Sequence, residues 1–183
     1  MKNVRGFTLI ELVMVILLTS VLAVAGLHIM QFTLQNTFFL PSQVQADLVA
    51  SDAMEIMAEG DDQAEGLRFC KAVTTAGPNQ VVVTNQNGQT VTYSLAGGIL
   101  YRTITPGAAA MIPYFMNTGK TTLAGSGAGG ALFTYFNAAE GTPATPALVR
   151  RIQIDLTAQN GSGNAANFEG ISRQSTSVKL YNV

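Results

Sequence analysis

Residues 1–30 read MKNVRG followed by FTLIELVMVILLTSVLAVAGLHIM, and the placing of charge in this stretch decides the fold. Between Glu11 and Asp47 there is no charged residue, with His28 counted as neutral, and Leu12 to Met30 is apolar apart from Thr19, Ser20, Gly26 and His28. A helix from Phe7 to Met30 would be about 35 Å long, enough to cross a bilayer core of about 30 Å. Lys2 and Arg5 lie just ahead of it with no acid among them. By the positive-inside rule the N-terminus stays in the cytoplasm and the remainder is exported.

Three kinds of segment share these features. A secretory signal peptide ends at a small-residue site, and Ala23-Val24-Ala25 matches one by letter. However, Glu11 puts a charge inside the apolar run, and that run continues past the site through Leu27, Ile29, Met30 and Phe32. A plain signal anchor fits length and orientation but leaves Glu11 unexplained, and an ionisable residue within a membrane segment is costly and functional by default. The third reading comes from a resemblance. Gly6 followed by Phe7-Thr8-Leu9-Ile10-Glu11-Leu12, behind a six-residue leader with Lys2 and Arg5, resembles the type IV pilins and pseudopilins with their class III prepilin signal. The resemblance implies that a membrane-embedded prepilin peptidase cleaves between Gly6 and Phe7 and methylates the new amine. It also implies that Glu11 is the assembly residue. Phe7 and Glu11 are about one helical turn apart, so carboxylate and amine share one stretch of helix surface. A neighbour's acid can then neutralise the amine of an incoming subunit.

Outward from the membrane, residues 31–60 continue the helical pattern with rising polarity. Pro41 is expected to bend or locally melt the helix, Ser42 to cap the helical segment beyond it, and Gly60 to stop that segment. Val44, Leu48, Met54, Ile56 and Met57 recur at roughly helical spacing and predict one side turned toward a sheet. After Gly60 the period changes. Strands are expected within Leu67–Thr74, Gln80–Thr84, Gln89–Leu95, Ile99–Ile104, Ala131–Asn137, Leu148–Thr157 and Thr176–Leu180, with Asn85–Gly88 and Gly97-Gly98 as turns. One long helix followed by consecutive strands is α+β, an antiparallel sheet packed on the helix. The expected divisions are a leader at 1–6, a transmembrane and assembly helix at 7–30, its amphipathic continuation at 31–60, and a β-rich head at 61–183. Residues 106–130 and 138–147 read as exposed loops. The run VTYSLAGGILYR, the later FTYFNAAEG, Ile152-Gln153-Ile154 and the terminal SVKLYNV resemble J-type minor pseudopilins and PilW-like minor pilins. Tyr181 departs from that pattern, where such proteins often have Arg.

Composition narrows the function classes. Ten basic and eleven acidic residues in 183 leave no basic excess, which argues against a nucleic-acid partner. Cys70 is the only cysteine, so no internal disulfide can form; it reads as a small buried apolar side chain. The pair that closes the C-terminal loop of many major pilins is thus missing, which favours a minor component. Gly125 to Gly130 satisfies G-x-G-x-x-G by letter without the strand, helix and acid the dinucleotide fingerprint needs, and reads as a flexible loop. Gly119-Lys120-Thr121 echoes a P-loop, but Tyr114 stands where its first glycine belongs. Asp61, Asp62 and Glu65, flanked by Gly60 and Gly66, form the densest acidic cluster. Calcium is the ligand such a cluster raises, and a solvated helix end is the preferred reading. Arg150-Arg151 reads as a pair straddling a sheet.

The sequence thus points to a non-enzymatic minor pilin or pseudopilin without a cofactor, serving a type IV pilus or type II secretion filament. Its partners would be other pilins, the prepilin peptidase and an inner-membrane assembly platform. It would cross the inner membrane once, with a periplasmic head. The alternatives are the major pilin subunit and a membrane-anchored periplasmic enzyme or binding domain.

Overall fold

The computed structural model describes residues 8–105, 107–112, 121–161 and 169–180. Lys2, Arg5, Gly6, Phe7, Tyr114, Gly119, Lys120 and Tyr181 lie outside the described residues.

Helix α1 runs from Leu9 to Ala58, 50 residues and about 75 Å. Thr8 is its N-cap, Glu59 its C-cap, and Gly60 follows in the left-handed region at φ +92, as a stop glycine should. Pro41 lies inside the helix without ending it, and Ser42 is an interior residue rather than a cap. The expected local melting is therefore not seen. The proline is exposed, so the Thr37 carbonyl deprived of its N–H partner can be met by water.

Among the described residues the strands form two antiparallel sheets where one was expected. The first is a sequential meander of β1 (Ala72–Gly77), β2 (Gln80–Thr84), β3 (Thr90–Ala96), β4 (Ile99–Thr105) and β5 (Ala109–Ile112). Gly97 and Gly98 both have positive φ, which suits the two-residue hairpin turn between β3 and β4. The second sheet holds β6 (Thr121–Gly125), β7 (Phe133–Phe136), β8 (Arg151–Asn160) and β9 (Ile171–Lys179). Strand β9 pairs with β8 along nearly its whole length. On the opposite edge β7 takes residues 151–154 and β6 takes 156–160, placed end to end.

Several boundaries differ from the expectation. Leu67–Phe69 is a 3-10 turn, and the strand begins only at Ala72. The segment read as an exposed loop at 106–130 contributes β5 and β6. Leu148 closes another 3-10 turn, and the last strand starts at Ile171 rather than Thr176.

The helix face turned to the sheets is the expected one only in part: Met54 and Met57 are buried as expected, beside a row of alanines. Ala46, Val49, Ala50, Ala53, Met54, Met57 and Ala58 are buried against Val81, Val83, Val91, Ile152, Ile154, Leu156 and Val178 in one core. Val44 and Leu48, expected to face the sheet, are 53% and 58% exposed. Four alanines on the buried face present little apolar bulk, which lets the sheets approach closely. Met57 fills the space left between them.

Burial also sets a pH limit on this core. Cys70 is fully buried, and its thiol is pushed up from 9.0 to about 11 by desolvation. Desolvation likewise pushes the Tyr93 phenol from 10.0 to about 12, with the Arg102 charge beside it pulling the other way. Both groups hold their proton more tightly in the folded chain than in the unfolded one. Their contribution is complete below pH 9.0 and is lost as pH rises through about 11 and 12. Denaturant midpoints followed by circular dichroism should hold level to about pH 9 and fall steadily above it. A midpoint unchanged at pH 11 would contradict this account.

Candidate functional site

The sequence concentrates its functional signals at the N-terminal end of α1. There Thr8 and Glu11 form a reciprocal capping box. The Glu11 Oε2 accepts from the Thr8 N–H and from the Thr8 hydroxyl, both at 2.9 Å, while the Glu11 N–H donates to Thr8 Oγ1 at 3.4 Å. Helix N-termini leave N–H groups without intrahelical partners, and a Thr-x-x-Glu spacing satisfies two of them. The spacing is visible in the sequence, although the charge of Glu11 draws attention first. Both bonds in which the Glu11 side chain accepts end on one carboxylate oxygen, which leaves Oε1 to take a donor from elsewhere.

From Leu9 to Leu34 every large apolar side chain is exposed, and no described part of the head covers this rod. Its hydroxyls turn inward: Thr19, Ser20, Thr33 and Thr37 donate to helix carbonyls three or four residues back. Apart from Glu11, His28 and Gln31, the outer surface is therefore largely hydrocarbon. Among the described residues α1 is the one helix long and apolar enough to cross a membrane.

The acidic cluster after the helix does not behave as one group. Asp61 accepts from Arg102 Nη1 at 2.8 Å and Nη2 at 3.0 Å, and Gln63 Oε1 accepts from the same guanidinium at 3.2 Å. Glu65 instead accepts from the Gln86 backbone N–H at 3.0 Å. Asp62 is exposed. The reading as a solvated helix end is thus corrected for Asp61, which neutralises a buried arginine. Gly60 and Gly66 serve this loop by close approach, since a Cβ on Gly60 would lie 2.3 Å from the Ala64 carbonyl. Among the described residues no three acids, histidines or cysteines gather as a metal site.

Arg102 was missed by the sequence reading. Its signal is the alternation of β4: Leu100 and Arg102 share the inward face, and the Arg102 side chain is only 1% exposed. The glycine-rich run after β6 is a packed turn rather than a flexible loop. Ser126 N–H donates to the Asp155 carbonyl, Gly127 N–H to Ala131 and Gly130 N–H to Gly127. A strand does precede it, but a three-residue 3-10 turn follows where a nucleotide-binding fold needs a helix. Arg150 precedes β8 and donates to the Ala147 and Val149 carbonyls, whereas Arg151 bonds Ser177 and Glu140 and lies 3.8 Å over the Phe136 ring.

A groove of about 420 Å³ beside β7 is lined chiefly by Pro78, Phe133, Tyr135, Pro143 and Pro146. Its one ionisable group, the Tyr135 phenol, is raised by burial and donates to the Gly77 carbonyl at 2.8 Å. That geometry anchors β7 to the first sheet and offers no general base.

Residues 1–27 match the prokaryotic N-terminal methylation motif. This is the class III prepilin signal of type IV pilins and pseudopilins; it points to a structural subunit and implies processing by prepilin peptidase and assembly with other pilins. No curated protein and no solved structure matches the chain.

Proposed function

We propose that the chain is a minor pilin or pseudopilin, a structural subunit that helps prime, or sits near the tip of, a type IV pilus or type II secretion filament. The observation that carries this reading is the joining of a methylation motif to an uncovered apolar rod, with Glu11 poised at its start. Cleavage between Gly6 and Phe7 would retain Thr8 and Glu11, so the capping box survives maturation. Glu11 Oε1 is then available to the methylated amine of a neighbouring Phe7. An inner-membrane platform and its ATPase would draw the subunit out of the bilayer, Lys2 and Arg5 having fixed the orientation. The head is periplasmic in this scheme.

Cys70 as the only cysteine favours a minor over a major subunit, because the loop disulfide of many major pilins cannot form. Intact-mass and N-terminal peptide analysis of membranes and sheared filaments tests the proposal. A species beginning at methylated Phe7, present in filaments at low stoichiometry, is the expected result. Abundance equal to the bulk subunit would make it the major pilin. An uncut Met1 start in cells with active peptidase would leave a membrane-anchored domain instead.

A further inference from the structure

Helix α1 is one element, but its two halves are held by different means. Among the described residues, the first on the helix tied to the head by hydrogen bonds are Ser42 and Gln43. Ser42 Oγ accepts from the Gly170 N–H at 2.6 Å. The Gln43 amide accepts from the Ile171 N–H at 3.1 Å and donates to the Ile171 carbonyl at 2.9 Å. One primary amide thereby offers the start of β9 a donor and an acceptor, as a neighbouring strand would. The contact is close at the backbone too, since a Cβ on Gly170 would lie 2.4 Å from the Ser42 carbonyl. Gln45 and the Asp47 carbonyl extend the seam by accepting from Asn160 and Gln174.

Directly before this seam the helix is softened. Pro41 removes one helical hydrogen bond, that to the Thr37 carbonyl. The Thr33 and Thr37 hydroxyls bond back to the carbonyls of Ile29 at 2.9 Å and Thr33 at 2.8 Å, a pattern that weakens and bends helices. Weakened helical bonds and the first tertiary ties meet within two residues.

We propose that Ser42 and Gln43 form a latch that sets the boundary of a hinge. The turn at 37–41 flexes, while everything from Ser42 onward moves with the head. The latch, rather than the proline alone, determines how far the flexing reaches. This holds whether or not the chain enters a filament.

Hydrogen–deuterium exchange of the full-length protein in lipid nanodiscs tests the hinge. In the wild type, amides at 38–40 should exchange at least about tenfold faster than those at 46–53, which are packed on the sheets. Gln43→Ala should extend the fast region through residue 45 while β8 keeps its protection. Pro41→Ala should slow residues 38–40 toward the rate at 46–53. Wild-type amides at 38–40 as slow as those at 46–53 would overturn the hinge. A fast region that stops at residue 41 in Gln43→Ala, with β8 intact, would overturn the latch. Should Gln43→Ala unfold the head, Gln43→Glu, which keeps the acceptor for the Ile171 N–H and loses the donor, is read by the same two criteria.

Discussion

Asp61→Ala should destabilise the head by about 3–5 kcal/mol, the usual consequence of stranding one member of a buried ion pair. The Arg102 side chain is 1% exposed, whereas Asp61 is 18% exposed. Two short bonds from the guanidinium end on this carboxylate, at 2.8 and 3.0 Å. The same Oδ1 accepts the Gln63 and Ala64 N–H groups, so the loop turn is lost with the charge. Arg102→Met added to Asp61→Ala should recover most of the loss, because an apolar side chain of similar length fills the space without a stranded charge. Chemical unfolding followed by circular dichroism measures both. Equal stability of Asp61→Ala and wild type would mean that the buried guanidinium is neutralised by other groups.

The second large effect is expected at the other end of the helix. On the proposed reading, Glu11→Ala should lower incorporation into filaments on the order of a hundredfold, since a docking subunit's amine would lose the acid proposed to neutralise it in lipid. Thr8→Ala removes the capping box but leaves the carboxylate, so incorporation should fall only about a few-fold. Quantitative immunoblots of sheared filaments against membranes separate the two. Equal losses in the two variants would reduce Glu11 to a helix cap. Wild-type incorporation of Glu11→Ala would remove it from assembly altogether.

The strands at 80–84, 90–96 and 99–105 were legible because Val, Thr, Tyr and Ile cluster between unmistakable turn residues. The loop at 106–130 was not, since β5 and β6 carry Ala, Thr and Gly and gain their order from the strands they pair with. The buried helix face escaped for a related reason. Val44 and Leu48 advertise hydrophobicity, but Ala46, Ala50 and Ala53 allow the closest approach, and packing selected the alanines. Arg102 could be placed on the inward face by alternation from Leu100, yet its partner Asp61 is 41 residues away, and no local pattern links them. Glu11 draws attention because a lone charge in an apolar run stands out whatever the fold, and the structure adds its place in the capping box.

The hydrogen bonds joining α1 to β9 span 127 and 128 residues. Closing so long a loop is entropically costly, so these contacts are expected to form after the local hairpins of the first meander. A chain broken off before Gly170 would keep every strand of the first sheet and lose the hydrogen bonds that tie Ser42, Gln43 and Asp47 to the head. The last strand of the head thus decides whether the packed half of α1 is tied down at its start.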